Sequence, residues 1–271
     1  MRRLTGKIIL EGRGLHSGNE CRATLEPFDS PNVIMRTADD ESPLRLLKTD
    51  GTKRGSDYIF TGGERVRTCE HVLSALGGLM IFSGVRITVE GGEMPGLDGC
   101  SKTVCEEIMR KSFDDSEAVS HKKLREPLMV SSDDGMRFVC AFPADEFHIT
   151  YTVEYENVGV QTLDYVPGLM NYADDIAPAR TFAMKRDREY LRSHGMALGG
   201  SLKNAIVIGE SIEAEGGLRW QNEFVRHKVL DLIGDLYSVG CSLKAHVIAM
   251  RAGHDLHLRL AEKMKGAMID A

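Results

Sequence analysis

The sequence predicts an α+β fold, because strand patterns outnumber helical patterns and come in clusters instead of alternating with helices. With 271 residues, of which 42% are hydrophobic and 27% charged, the chain can bury a core in one or two domains. Alternating or β-branched runs predict nine strands, at residues 5–11, 20–25, 33–36, 85–89, 128–130, 137–141, 148–155, 205–208 and 245–251. Helical spacing of apolar residues predicts five helices, at residues 70–80, 101–111, 186–194, 223–239 and 256–265.

The charged stretch 111–126 separates two halves of similar size and is the best linker candidate. We therefore expect a first α+β domain over residues 1–120 and a second over residues 121–271. In each half, a helix that carries a histidine near its start is followed by glycine and a strand. Chance resemblance and an internal duplication both explain this shared order. A duplication would set the two helices face to face and bring His71 close to His227.

The composition narrows the class of protein. Thirty-four Lys and Arg residues stand against 40 Asp and Glu residues, a net charge of −6, which argues against a nucleic-acid-binding protein that neutralises phosphates. An anionic ligand would therefore need a local cation. The six cysteines form no CxxC pair, no signal-peptide core is visible, and no apolar stretch approaches the ~20 residues of a membrane span. We expect a cytoplasmic protein with reduced thiols and no transmembrane segment.

The helix at 223–239 carries the most informative polar residues. On a helical wheel its apolar residues share one broad arc, and His227, Asp231 and Asp235 form the opposite stripe. Residues four apart lie above one another on a helix, so His227 and Asp231 can converge on one cation. The alternative is a solvated helix face. A catalytic zinc site needs a third ligand, and the first candidate is the TCEH start of the other helix, where Thr68 fits the N-cap and Glu70 precedes His71.

Six motifs, in order along the chain, resemble those of the UDP-3-O-acyl-N-acetylglucosamine deacetylases. They are GRGLHSG at 12–18, TCEH at 68–71, GGEMPGLDG at 91–99, IAPARTF at 176–182, NEFVRHKVLDLIGDLY at 222–237 and AGHDLH at 252–257. Taken alone, the two glycine-rich motifs fit tight turns. The resemblance implies a zinc amidase of lipid A synthesis, which removes acetate from the nitrogen of a UDP-linked, 3-O-acylated glucosamine. It also implies two similar α+β domains with the active site between them.

The resemblance implies a metal site with three protein ligands. These ligands are His71, His227 and Asp231, and Glu70 is the general base beside them. Zinc lowers the pKa of its water towards ~7 and polarises the amide carbonyl. The same nitrogen and oxygen ligands accept other divalent metals, so iron(II) is a second candidate for the metal used in the cell.

The remaining implied roles concern the oxyanion and the substrate. By resemblance, His254 is the cationic group that stabilises the oxyanion and protonates the amine, and Asp235 orients His254. Thr181 donates a hydrogen bond to the oxyanion, and Phe182 packs on the sugar. Lys228 meets the diphosphate, which would supply the local cation that an acidic protein needs.

The chain departs from the family pattern at three places. Cys69 stands where the family usually has Val, residues 55–61 differ in composition, and an HP dipeptide is missing near residues 157–160. No catalytic residue is lost, but Cys69 could bind a wrong metal, and the altered 55–61 segment puts first-half substrate contacts in doubt. Residues 182–200 correspond to the inserted element that forms the acyl passage, although an amphipathic helix covering the sheet explains their pattern equally well.

Two other functions remain open at this point. A zinc amidohydrolase of the same fold could act on another N-acetylated nucleotide sugar, with residues 55–61 and 182–200 setting its specificity. A binding module with structural zinc would instead close the fourth coordination position and leave Glu70, Thr181 and His254 without a role.

The expected partner is a small-molecule substrate, a UDP-linked acylated amino sugar, with no nucleic acid. A monomer is expected.

Overall fold

The computed structural model describes residues 2–49, 54–115 and 121–271. The strands of the first half are Arg2–Leu4 (β1), Ile8–Arg13 (β2), Glu20–Pro27 (β3), Ile34–Arg36 (β4), Glu41–Pro43 (β5), Lys48–Thr49 (β6), Ser56–Ile59 (β7), Arg65–Val66 (β8), Val85–Glu90 (β9) and Ser112–Asp114 (β10). Those of the second half are His121–Leu124 (β11), Leu128–Ser131 (β12), Phe138–Pro143 (β13), His148–Tyr155 (β14), Gly159–Tyr165 (β15), Phe182–Met184 (β16), Ile206–Ile208 (β17), Ile212–Glu213 (β18), Ser242–Met250 (β19) and Met268–Asp270 (β20). The α-helices are Glu70–Gly78 (α1), Lys102–Arg110 (α2), Arg188–Ser193 (α3), Glu223–Tyr237 (α4) and His254–Ala267 (α5).

The two halves are built on the same sheet topology. In the first half the strand order is β2-β3-β9-β4-β5, and every neighbouring pair is antiparallel except the parallel pair β9 and β4. In the second half, β12-β13-β19-β14-β15 repeats this order and these directions, with β11 and β20 added. Each central strand also follows one helix and precedes another. The predicted α+β fold with two similar units is therefore confirmed, and the repeated topology favours duplication over chance.

Each half also carries a small sheet inserted before its central helix. The sheet β6-β7-β8 precedes α1, and the sheet β16-β17-β18 precedes α4. In the second insert, β16 and β17 pair in parallel, and α3 lies between them in the chain. The predicted acyl-passage segment 182–200 thus lies in a βαβ unit that continues to Ile208.

The predicted linker contains strands at both of its ends. Strand β10 pairs with β1 of the first half, whereas β11 pairs with β19 and β20 of the second half. The predicted boundary at residue 120 lies outside the described residues, as do its neighbours 116–119. The division into domains 1–120 and 121–271 stays a prediction.

Helices α1 and α4 pack directly against each other across the two halves. Gly234 of α4 lies so close to α1 that a Cβ atom there would clash with the backbone of Glu70. Because α4 also contacts α5 and β14, every residue of α4 except Arg226 is buried. The polar stripe of this helix faces the other half of the molecule, so the alternative of a solvated helix face is wrong.

Every helix within the described ranges is too short or too polar to cross a lipid bilayer.

Candidate active site

Seven of the nine site residues that the sequence analysis selected line one cavity of about 430 Å³. Helix α1 contributes Glu70 and His71 to its wall, and α4 contributes His227 and Asp231. His254, at the start of α5, lies on the same wall, as do Thr181 and Phe182. Residues distant in sequence converge here because the shared topology of the halves places α1 and α4 side by side.

His71, His227 and Asp231 form a buried cluster with the composition of a metal site. The imidazole ring centroids are 5.1 Å apart, as a duplication of the two helices predicts. Oδ1 of Asp231 lies 3.2 Å from Nε2 of His227 and 3.7 Å from Nε2 of His71. One potential ligand atom from each residue lies within 4.8 Å of the other two.

Asp231 has two carboxylate oxygens with different surroundings. Its Oδ1 atom is buried and makes no hydrogen bond to any of the described residues. Burial opposes ionisation, but the neighbouring imidazoles and Lys228 outweigh it and hold the pKa of Asp231 well below its usual value. A buried carboxylate oxygen without a donor is costly, and a divalent cation between the three side chains would satisfy it. The residues present therefore fit a metal ion.

The second oxygen of Asp231 is occupied by Lys228. The lysine Nζ donates a hydrogen bond to Oδ2 over 2.7 Å, and only 8% of the lysine is exposed. Burial would lower the pKa of Lys228, but Asp231 and two tyrosine hydroxyls outweigh it and raise that pKa. Lys228 is not among the described residues that line the cavity. Its contact with a diphosphate stays a prediction.

Glu70 lies beside the cluster at the first position of α1. Its Oε2 atom accepts a hydrogen bond from the backbone amide of Ser56 over 3.1 Å, and the side chain is otherwise enclosed. Burial raises the pKa of Glu70 to about 7, against the opposing effect of His254 and His71. A carboxyl group whose pKa lies near 7 can take up and release a proton near physiological pH.

The predicted N-cap of α1 is wrong. Cys69 occupies the N-cap position without a side-chain hydrogen bond to the helix, and Thr68 precedes it with φ at +56°. In this left-handed conformation the Thr68 hydroxyl instead donates to Oε1 of Glu93 over 3.1 Å. The Sγ atom of Cys69 donates to the carbonyl of Val66, within the first half.

A second polar cluster surrounds Asp235, one turn further along α4. Oδ2 of Asp235 accepts hydrogen bonds from Nδ1 of His254 and from Nδ1 of His257, both over 2.8 Å. Oδ1 accepts the hydroxyl of Ser56. Burial would raise the pKa of Asp235, but the two imidazoles outweigh it and lower that pKa to about 2. The predicted pairing of Asp235 with His254 is present in this geometry.

The second cluster orients the ring of His254 so that its Nε2 atom faces the cluster of His71, His227 and Asp231. Nε2 of His254 lies 3.7 Å from Oδ2 of Asp231. Burial would lower the pKa of His254, but Asp235 and Asp231 outweigh it and raise that pKa to about 9. An imidazolium at this position can stabilise negative charge that develops in the cavity.

The segment IAPARTF passes close to the metal cluster. The amide of Thr181 donates to the carbonyl of Gly99 over 2.8 Å, which holds Thr181 at the cavity wall. The Phe182 ring packs edge-on against Phe224 at 5.2 Å and lies 5.9 Å from His227, measured between ring centroids.

The sequence analysis missed three polar residues of this region. Ser56 lies in the altered 55–61 segment and contacts both Glu70 and Asp235. His257 had no predicted partner, although its position three residues after His254 on a helix was a usable signal. His16 also lines the cavity.

The glycine-rich turns hold His16 in place. Both carboxylate oxygens of Glu93 accept backbone amides, from His16 and Ser17, over 2.8 Å. A Cβ atom at Gly14 would clash with the Glu93 carboxylate. The two segments predicted as turns thus pack on each other, and the carboxylate of one fixes the backbone of the other.

Part of the cavity wall is apolar. The second insert supplies it, through Met184 of β16, Leu191 of α3, Val207 of β17, and Ala197 and Leu202 of the connection between α3 and β17. Lys185 and Glu213 form an ion pair of 3.1 Å in the same insert. The insert therefore forms part of the cavity wall.

The fold thus places a buried His/His/Asp cluster that could hold a metal ion beside the carboxyl group of Glu70, an arrangement compatible with a metal-dependent hydrolase. A family model described as UDP-3-O-acyl N-acetylglycosamine deacetylase matches residues 1–266. Among relatives named UDP-3-O-acyl-N-acetylglucosamine deacetylase, that of Thermosynechococcus vestitus is 37% identical over 268 residues, covering 96% of this chain and 92% of the relative. That of Bdellovibrio bacteriovorus is 34% identical over 266 residues, covering 95% and 87%. That of Aquifex aeolicus is 34% identical over 261 residues, covering 95% and 90%. The chain belongs to the UDP-3-O-acyl-N-acetylglucosamine deacetylase family.

Proposed function

We propose that this enzyme hydrolyses the N-acetyl group of a UDP-3-O-acyl-N-acetylglucosamine with the help of zinc, and so releases acetate in lipid A biosynthesis. The observation that carries the proposal is the buried Oδ1 of Asp231, which accepts no hydrogen bond from any described residue and lies opposite the Nε2 atoms of two histidines. Family membership supplies the class of substrate. The cytoplasm remains the predicted compartment and a monomer the predicted state.

His71, His227 and Asp231 would hold the metal. When bound, zinc supplies Lewis-acid chemistry, because it polarises the amide carbonyl and lowers the pKa of a water towards ~7. Iron(II) is accepted by the same ligand types. The buried surroundings of the three residues support a site whose ligands are fixed before the substrate arrives.

Glu70 acts as the general base in this proposal. It accepts the proton of the attacking water at one carboxylate oxygen, while the Ser56 amide holds Oε2. Its position on α1, directly before His71, keeps the carboxylate next to the metal ligands.

His254 acts as the general acid in this proposal, the role complementary to that of Glu70. Its Nε2 stabilises the oxyanion of the tetrahedral intermediate and then donates a proton to the leaving amine, while Nδ1 stays bonded to Asp235. The bond between Asp235 and Nδ1 supports this role, because it favours the charged imidazolium and fixes the ring.

Thr181, Phe182 and Lys228 complete the proposed contacts. The hydroxyl of Thr181 donates to the oxyanion, and the ring of Phe182 packs against the sugar. Lys228 remains the predicted contact of the diphosphate, although its bond to Asp231 also makes it a partner of the metal ligand.

The apolar wall formed by the second insert accommodates the 3-O-acyl chain. The wall residues Met184, Leu191 and Val207 offer apolar side chains, and the sugar-side residues lie in the same cavity. Burial of acyl methylene groups there contributes about 0.8 kcal/mol for each CH₂ removed from water.

Metal analysis of the purified chain, coupled to an assay of acetate release, tests this proposal. We expect about one zinc per chain and acetate release from UDP-3-O-acyl-N-acetylglucosamine, with far slower release from UDP-N-acetylglucosamine, which lacks the acyl chain. Faster turnover of a different N-acetylated nucleotide sugar would overturn the proposed substrate. Acetate release that continues at full rate after complete chelation of the metal would overturn the proposed chemistry.

A further inference from the structure

The loop that carries Thr181 is tied to the start of α4 by a buried ion pair. Arg180 is 3% exposed and Glu223 is fully buried. The guanidinium Nε donates to Oε1 of Glu223 over 2.9 Å, and Nη2 donates to Oε2 over 3.1 Å. The paired, planar geometry of these bonds requires arginine, since lysine offers a single ammonium.

The same carboxylate also binds two backbone amides. Oε1 of Glu223 accepts the amide of Arg180 over 3.1 Å, and Oε2 accepts the amide of Arg219 over 2.7 Å. The guanidinium reaches the carbonyls of Glu215 and Gly217 in addition. Glu223 therefore holds the loop of Arg180 and the loop of Arg219 together at the first turn of α4.

One peptide unit links this pair to the metal cluster. The amide of Arg180 and the carbonyl of Ala179 belong to the same peptide plane. That carbonyl accepts a hydrogen bond from Nδ1 of His227 over 3.0 Å. Glu223 and His227 are four residues apart on α4, so two successive turns of one helix hold opposite ends of a single peptide plane.

The bond from His227 fixes the position of its proton. A carbonyl oxygen can only accept, so Nδ1 must carry the hydrogen and Nε2 keeps its lone pair. This lone pair points towards His71 and Asp231, since Nε2 lies 3.2 Å from Oδ1 of Asp231. If the peptide plane turned, the Nδ1–H tautomer would lose the partner that favours it.

We propose that Glu223 and Arg180 are positioning residues for His227, which hold the 179–180 peptide plane so that His227 presents Nε2 as a ligand. The inference rests on the proposed function in taking His227 as a metal ligand. Neither residue contacts the reacting atoms, and both act through the backbone between Ala179 and Thr181.

The test compares two arginine–glutamate pairs. The double variant Arg180→Met with Glu223→Met removes both charges together, which avoids leaving one ion buried alone. The control is Arg86→Met with Glu26→Met, a half-buried pair of the first half in which Nε and Nη2 of Arg86 lie 2.9 and 2.7 Å from Glu26. The control pair makes no hydrogen bond to the metal cluster among the described residues.

Two measurements are made on each protein. Nitrogen-15 NMR of the metal-free protein at pH 8 reports the tautomer of His227, and competition titration reports the affinity for Zn²⁺. We expect the wild type and the control to hold the Nδ1–H tautomer, and the Arg180/Glu223 variant to populate both tautomers. We expect zinc affinity to fall by ~10–100-fold in that variant, the usual effect of losing a partner of a ligand. The control should stay within twofold of wild type.

A folded Arg180/Glu223 variant with wild-type tautomer and wild-type affinity would overturn the inference. If circular dichroism shows that this variant does not fold, Glu223→Gln replaces it, with an expected loss of affinity of roughly tenfold; unchanged affinity and tautomer there would overturn the inference as well. If the wild type itself fails to bind Zn²⁺, the proposed function falls, and the tautomer measurement still decides whether Glu223 orients His227.

Discussion

Two buried carboxylates lie one helical turn apart on α4, and their surroundings differ in one decisive way. Asp235 is saturated, because two imidazole nitrogens and a serine hydroxyl occupy its oxygens. Asp231 is not, because its Oδ1 faces two histidines without accepting a hydrogen bond among the described residues. Both groups contain one aspartate and two histidines whose ligand atoms lie close enough to hold an ion.

The difference shows how hydrogen bonding separates two clusters of the same composition. The histidines around Asp235 turn Nδ1–H towards the carboxylate, so the hydrogen-bonding capacity of that carboxylate is met without a metal ion. His227 turns its Nδ1–H away, to a backbone carbonyl, and leaves Nε2 facing Asp231. The first arrangement positions His254, and the second leaves a gap of the kind that a metal ion fills.

The largest effect is expected from variants that remove a ligand from the Asp231 cluster. We expect His227→Ala and Asp231→Ala each to lose bound zinc and activity, because either change removes one of three ligands. The loss of zinc affinity should exceed the ~10–100-fold typical of changes around the ligands. Metal analysis after dialysis and an acetate-release assay give the result, and full retention of zinc in either variant would contradict the ligand assignment.

The next largest effect is expected from a substitution that removes the proposed general base and leaves the metal ligands in place. We expect Glu70→Ala to keep its zinc and to lose activity by roughly 10²–10⁴-fold, the range for loss of a general base. The same metal analysis and steady-state kinetics measure both quantities. Glu70→Gln serves as the control of similar shape, and a near-wild-type rate in either variant would mean that another group takes the proton.

Asp235 should respond differently from Asp231. We expect Asp235→Asn to retain zinc but to lower stability, because a pKa that falls from its ordinary 3.8 to about 2 on folding stabilises by about 2 kcal/mol at neutral pH. This contribution is present above pH 3.8 and is lost as the pH falls through about 2. Urea unfolding of the metal-free proteins at several pH values measures it. A gap between wild type and variant that stays constant from pH 7 to pH 2 would contradict the account.

The smallest effect concerns Cys69. We expect Cys69→Val to keep its zinc and to stay within a few-fold of wild-type activity. The thiol is buried, burial raises its pKa well above the usual value, and its Sγ bonds the carbonyl of Val66. A thiol of this kind is a poor metal ligand. Loss of metal from the variant would show that the cysteine contacts the ion.

Much of the fold could be predicted from apolar patterning. Each of the nine predicted strands and five predicted helices overlaps an observed element, because these elements bury an apolar face or stripe. Strand β15 is among the strands that were missed, since it buries only Tyr165 fully and its place in the sheet depends on backbone pairing with β14. The helical wheel of α4 left a solvent-exposed polar face open as an alternative. That alternative was wrong because α4 lies between the two halves and is buried on its polar side as well.

The site was predicted less evenly. His227 and Asp231 could be paired from their helical spacing, and His71 was a candidate third ligand from its place at the start of the other helix. The roles of Thr181 and His254 entered through the family resemblance. Helical spacing alone does not separate Asp231 from Asp235, because the distinction depends on Nδ1–H bonds to groups distant in the chain. Ser56 and Glu93 carry no local signal at all, since each acts through backbone amides or carboxylates brought close by the fold.

The central claim is that the metal binds at Asp231 and not at Asp235. Anomalous diffraction at the zinc edge, from crystals of the full chain grown with zinc, tests it most directly. We predict one strong peak within ~2.0–2.2 Å of Nε2 of His71, Nε2 of His227 and Oδ1 of Asp231, and none between Asp235, His254 and His257. A peak at the second cluster, or none at the first in zinc-loaded crystals, would contradict the account.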